Sequence, residues 1–193
     1  MIKIGVTGGI GSGKSVVSEL LKLHGIPVYD ADSEAKRLND QSPVIRQKLT
    51  SSFGSELYIN GKLDKRKLAQ LIFNDPQKLQ LANSIIHPEL MKDYTGWAEK
   101  RKNYPFTAID AAVLFEGGFE RYVDKIITVA APENIRFARA SLRDNVPEHK
   151  ISERAKNQLT DQEKINQSDF VIHNDNQHSV IQQVSDILNR LDG

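Results

Sequence analysis

The chain has 193 residues, with 26 Lys+Arg against 25 Asp+Glu for a formal charge of +1, and no cysteine. That length supports one domain, or a core with insertions, around a proper hydrophobic core. The even charge disfavours a duplex-binding protein, the lack of cysteine excludes disulfides and thiolate metal sites, and no apolar run approaches the roughly 20 residues that span a bilayer.

At the N-terminus Ile2, Ile4 and Val6 with Thr7 predict a short buried strand. No basic-then-apolar leader precedes it, so the expected compartment is the cytoplasm. Val16, Val17, Leu20, Leu21 and Leu23 recur at helical spacing, with Gly25 as a stop, and IPVYD reads as a second strand. Strand, helix, strand at this spacing is a βαβ unit and implies a parallel sheet. From Ser33 to Asn103 the patterns are helical, broken at Pro43, Gly54, Asn60-Gly61, Pro76 and Pro88, which predicts a helical insertion. PFTAIDAAVLFE and VDKIITVAA read as further core strands, and PENIRFARASLRD as a helix started by Pro132. A polar helix is expected from Glu148 to about Lys164, then a last strand, DFVIHND, and a closing amphipathic helix, HSVIQQVSDILNRL.

Gly8-Gly9-Ile10-Gly11-Ser12-Gly13-Lys14-Ser15 fits G-x-x-x-x-G-K-[ST] at every fixed position, with a strand before it and a helix after it. Glycines let the backbone curl so that successive N–H groups face a phosphate, and the helix start adds its own unsatisfied N–H groups. Lys14 then reaches the terminal phosphates and Ser15 ligates Mg²⁺. The alternative is a Gly-rich tight turn with an incidental lysine, against which full pattern and context both weigh.

The motif does not name the reaction. A guanine-reading N-K-x-D is absent, and the D-x-x-G match at Asp93-Tyr94-Thr95-Gly96 falls inside a helical pattern. A short chain with helical insertions suits a kinase that closes over two small substrates. Kinases of the adenylate, shikimate or thymidylate type, and a nucleotide-binding partner protein with idle catalytic groups, are the competing readings. Asp30 and Asp32 follow the second strand, where the ligand crevice of an open parallel sheet lies. If the strand continues, alternation across Ala31 aims both carboxylates similarly, and their proximity raises the pKa of at least one. Equally, Asp32 or Ser33 could cap the helix SEAKRLN. Arg136, Arg139 and Arg143 share one helix face. They could fold over ATP, Arg143 foremost, or form a solvated face paired with Glu133 or Glu148. Asp110 could hold Mg²⁺ through water as a Walker-B carboxylate does, and Glu116 lies just past that strand; capping or ion pairing is the alternative for both. His87, before Pro88 at a helix junction, has a structural explanation as well.

Taken in order, VTGGIGSGKS, the DAD at 30–32, GKLDKRKLAQLIF, His87-Pro88, VLFE, LRDNV, Gln158 and SDFVIHN resemble the dephospho-CoA kinases from end to end. The resemblance implies transfer of the ATP γ-phosphoryl group to the ribose 3′-hydroxyl of 3′-dephospho-CoA, giving ADP and CoA, the last step of coenzyme A synthesis. It implies an α/β fold: a P-loop NTPase kinase core with a five-stranded parallel sheet flanked by helices (1–32, 104–138 and 165–193), a helical acceptor-binding domain (33–103) and a lid (139–164). By matching position, Asp32 becomes the base, and Lys14 and Arg143 stabilise the transferring group. Gly8, Gly9, Ile10, Gly11, Ser12, Gly13, Lys14, Ser15 and Val16, with Arg139 and Asn174, would hold ATP. Ser15 would hold Mg²⁺, with Asp110 acting through water. Asp30, Asp32, Lys36, Arg66, His87 and Glu116 would line the acceptor side. The partners implied are these two small substrates, with no nucleic acid and no membrane, and the expected state is a monomer or a weak homo-oligomer. Two departures stand out. Ala112 replaces a common proline, and Lys36 replaces a frequent arginine, losing the bidentate fork although Arg37 is adjacent.

Overall fold

A computed structural model describes residues 1–73 and 75–192. The chain divides into two compact units, Met1–Tyr29 with Arg101–Gly193, and Asp30–Lys100.

The first unit is built on strands β1 (Ile2–Thr7), β2 (Val28–Asp30, whose last residue begins the second unit), β5 (Phe106–Asp110), β6 (Lys125–Ala130) and β7 (Phe170–His173), in the order β2-β5-β1-β6-β7. The sheet is parallel, with Val6 opposite Asp110 on one side and Ile127 on the other. Helices α1 (Lys14–Leu23), α6 (Glu133–Asp144), α7 (Glu148–Ala155), α8 (Asp161–Asn166) and α9 (Val180–Asp192) complete it. Ile4, Val6, Val17, Leu21, Ile127, Val129, Ile172 and Val184 form one buried cluster, in which α1 and α9 supply the helical side. A central parallel strand must be apolar on both faces, which the β-branched β1 satisfies. Gly5 belongs to the same requirement, because a Cβ there would lie 3.1 Å from Leu114.

The second unit holds α2 (Ala31–Gln41), α3 (Pro43–Phe53), a 3-10 turn at Ser55–Leu57, the hairpin strands β3 (Tyr58–Ile59) and β4 (Lys62–Leu63), α4 (Lys65–Ile72) and α5 (Pro76–Glu99). Leu38, Ile45, Leu49, Leu57, Leu68, Ile85 and Met91 are buried within it.

Four local expectations change. The Asn60-Gly61 break is the turn of the β3–β4 hairpin, with φ of 49° and 84° as a type I′ turn needs. Pro88 does not end a helix, since α5 runs unbroken through it. An interior proline costs about 3 kcal/mol. Ile85, Leu90 and Met91, buried on either side, anchor both halves and outweigh it. The strand around Asp110 stops at that residue, and 112–117 is a series of turns, so Glu116 lies well beyond the strand end. The polar helix expected over 148–164 is two helices. Thr160 and Glu163 make a full capping box that starts α8, which requires Thr160 to leave helical geometry.

Thr160→Ala is therefore expected to destabilise the protein by about 1 kcal/mol in denaturant melts. An unchanged midpoint would show that the break before α8 is not set by its cap.

Candidate active site

The loop between β1 and α1 has the backbone of an anion cradle. Gly8, Gly11 and Gly13 have φ of 152°, 78° and 95°, a region closed to most side chains. Gly13 is the N-cap of α1, with no side-chain cap and no acidic residue in the first turn. Each of α2, α3, α4 and α5 is capped instead by an aspartate or serine side chain. Within the loop Ser12 N–H donates to Gly9 O at 3.0 Å and Ile10 N–H to Gln158 Oε1 at 3.0 Å. Among the described residues no protein acceptor meets the amides of Gly11, Gly13, Lys14 or Ser15. Four donors left open at a helix start can take a polyphosphate.

Asp110, at the end of β5, lies beside this cradle. Its Oδ2 accepts from Ser18 Oγ at 2.7 Å, and its Oδ1 is 3.8 Å from Lys14 Nζ. The loop's lysine is thus held next to the strand-end carboxylate. Asn174, just past β7, donates Nδ2–H to Ser12 O at 2.8 Å, and a Cβ on Gly13 would fall on that amide. Arg139 donates to Asn174 O at 3.0 Å and to Asn176 Oδ1 at 2.6 Å, tying α6 to the segment after β7.

The three arginines of α6, read as sharing one helix face, have three separate settings. Arg136 is buried against Gly9 and Ile10; Arg139 holds the 174–176 segment. Arg143 has a side chain 61% exposed and pairs with Asp144, which Arg154 of α7 also binds at 2.6 Å. These two arginines hold the Asp144 carboxyl down at about 2. Arg154 is the member of this cluster that pattern reading overlooked, having no periodic partner to mark it.

Glu116 is similarly engaged. Its Oε1 accepts from Leu159 N–H at 2.7 Å and from Lys164 Nζ at 2.8 Å, and Lys164 is wholly buried with its second bond to Ala112 O at 2.9 Å. The turn after β5, where the proline is missing, is therefore fastened by an ammonium from α8.

Of the remaining candidates, Asp30, Asp32, Lys36, Arg66 and His87 all belong to the second unit. Asp30 is the N-cap of α2, accepting from Ser33 N–H at 3.0 Å and Ser33 Oγ at 2.7 Å. Partial burial raises its pKa, but the two Ser33 bonds, the Asp32 amide and Lys36 more than offset this, leaving it below the usual value. The strand does not continue through Ala31, so alternation does not relate the two aspartates. Asp32 is exposed in the first turn of α2, and the cap is neither Asp32 nor Ser33. Lys36 and Arg66 are exposed. His87 sits inside α5, where burial pushes its pKa below the usual value and favours the neutral ring.

The family model described as dephospho-CoA kinase matches residues 2–179. A dephospho-CoA kinase of Porphyromonas gingivalis is 46% identical over 189 residues, covering 97% of this chain and 93% of that protein. The crystal structure of TT1252 from Thermus thermophilus superposes with a TM-score of 0.86 at 32% identity, covering 100% of this chain and 98% of that one. A dephospho-CoA kinase structure from Campylobacter jejuni shares the fold, with a TM-score of 0.71 at 23% identity over 98% of this chain and 96% of that one.

Gly13→Ala adds a Cβ that collides with Asn174 at a φ unfavourable to alanine. It is expected to weaken Mg·ATP binding by about tenfold or more, as loss of a hydrogen bond to a charged group does; unchanged calorimetric affinity would contradict the cradle geometry. The Asp144 pKa lies below its unfolded value, so its stabilisation is present above about pH 4 and lost as pH falls toward about 2. A carboxyl NMR titration of Asp144 with a midpoint near 4 would contradict this pairing.

Proposed function

The chain belongs to the dephospho-CoA kinase family, and on that premise we propose how its residues carry out the transfer of a phosphoryl group from ATP to the 3′-hydroxyl of dephospho-CoA. The observation that carries the nucleotide half is the α1 start, whose amides at Gly11, Gly13, Lys14 and Ser15 face no acceptor among the described residues. They bind the phosphates, and Lys14 exchanges its contact with Asp110 for the β- and γ-phosphate oxygens. Asn174 and Arg139 shape the adenine side.

The acceptor half comes from the second unit, Asp30–Lys100, as the acceptor domain. Asp32 takes the proton of the 3′-hydroxyl as that oxygen bonds to the γ-phosphorus and the bond to the β–γ bridging oxygen breaks, releasing ADP. Asp30 keeps α2 in place through its cap, so that Asp32 is presented from a defined first turn. Lys36, Arg66, His87 and Glu116 contribute to the acceptor side. Segment 139–164 acts as the lid, and Arg143 is the cation it delivers to the transferring group, leaving Asp144 to Arg154.

The residues also fit Mg²⁺. Ser15 and Asp110 offer the oxygen donors that a hard cation prefers. Among the described residues no group of three or more histidines or carboxylates converges, so phosphate oxygens and water would complete the set. When bound, the ion neutralises charge on the β- and γ-phosphates. No helix among the described residues is long and apolar enough to cross a membrane. ATP and a CoA precursor are substrates of the cell interior, which supports a cytoplasmic location.

ADP release is expected to require dephospho-CoA and to stop when EDTA removes Mg²⁺; phosphorylation of a nucleoside monophosphate instead would overturn the acceptor. Asp32→Asn should lower kcat by about 100-fold or more, as loss of a general base does, with Mg·ATP affinity nearly unchanged. Normal turnover in that variant would remove Asp32 from the mechanism.

A further inference from the structure

Arg136 is a buried cation for which the transfer has no direct use. It is 9% exposed, and its guanidinium lies against the first half of the phosphate loop. Nη1 donates to Ile10 O at 3.5 Å, and Nε donates to Ala131 O at 3.1 Å while standing 3.4 Å from Asp161 Oδ2. A Cβ on Gly9 would fall on the guanidinium and within 2.8 Å of Asp161 Oδ1, and a Cβ on Gly11 would fall on the Arg136 carbonyl. Gly9 thus makes room for the Arg136 side chain, and Gly11 for the backbone of α6.

The consequence follows from peptide geometry. A trans peptide carries its C=O and N–H on opposite sides. Arg136 draws the carbonyl of the Ile10–Gly11 peptide toward α6, which turns the Gly11 N–H the other way. That amide is one of the four with no acceptor among the described residues. The preceding peptide is restrained as well, its N–H by Gln158 and its carbonyl by Ser12 N–H.

We propose that Arg136, oriented by Asp161, is a positioning residue that sets the Ile10–Gly11 peptide so that the Gly11 amide is aimed at the bound polyphosphate. Because Asp161 balances its charge, the pair acts through orientation and not through net attraction. The two possibilities oppose each other in sign. Removing the Asp161 charge would tighten polyphosphate binding if Arg136 worked by attraction, and loosens it if Arg136 must be held in one orientation.

This proposal rests on the nucleotide half of the reading above and not on the identity of the acceptor. The test is therefore direct calorimetry of Mg·ATP on the full chain without acceptor, with thermal melts alongside. Arg136→Met is expected to weaken Mg·ATP binding by about tenfold or more, and Arg136→Lys to recover part of that loss, as for one misdirected anion donor. Asp161→Asn should weaken it in the same direction by a few-fold. In turnover, KM for ATP rises while KM for the acceptor stays within about twofold, because only the loop is disturbed. Unchanged affinity in folded Arg136→Met overturns the proposal, as does tighter binding in Asp161→Asn. Should Arg136→Met fail to fold, the sign of the Asp161→Asn effect decides. Wild-type protein that bound no Mg·ATP would instead remove the nucleotide reading, and this proposal with it.

Discussion

An anion site made of backbone amides depends on donors that the protein itself leaves unsatisfied. Buried amides ordinarily find partners, since an unmet one costs free energy comparable to a lost hydrogen bond. The chain therefore has to hold Gly11, Gly13, Lys14 and Ser15 away from its own acceptors while fastening everything around them. Gly9 and Ile10 are fastened from α6 and from the 158–161 segment, and Ser12 is fastened from Asn174. Lys14 is kept in reserve by Asp110. The open donors survive because their neighbours are closed.

The same segment that reaches the loop also reaches the turn after β5. Gln158 meets Ile10, Leu159 and Lys164 meet Glu116, and Lys164 meets Ala112. A buried ammonium is expensive unless its hydrogen bonds are made, and here two oxygens receive it. Nucleotide loop and strand-end turn are therefore registered by one stretch of seven residues, Gln158–Lys164. The capping box at Thr160 serves that purpose, since a continuous helix would engage the Leu159 N–H that Glu116 receives.

In the second unit the economy of groups runs through α2. Asp30 gives its carboxylate to the helix start, where burial opposes ionisation and the Ser33 bonds favour it. Asp32, two residues on in the first turn, is exposed and takes no part in the cap. Of two aspartates two positions apart, one caps the helix and the other is left uncommitted, a difference invisible to a reading based on strand alternation.

Local chemistry made much of the molecule legible beforehand. The phosphate loop, the βαβ start and its parallel sheet follow from glycine spacing, β-branched runs and helical periodicity, which act over a few residues, while the family resemblance rests on motifs matched in order. Other features required the packed chain. Periodicity shows that Arg136, Arg139 and Arg143 lie on one face but not what each will meet. Only the packing of α6 sends the first beneath Gly9, the second to Asn174 and the third to Asp144. Pro88 reads as a break until the buried residues on either side are seen to hold α5 together. Glu116 and Lys164 are separated by dozens of positions and form their pair only when α8 docks beside the turn after β5. Short-range preferences chose the elements. Burial, which acts between segments distant in the chain, chose the partners.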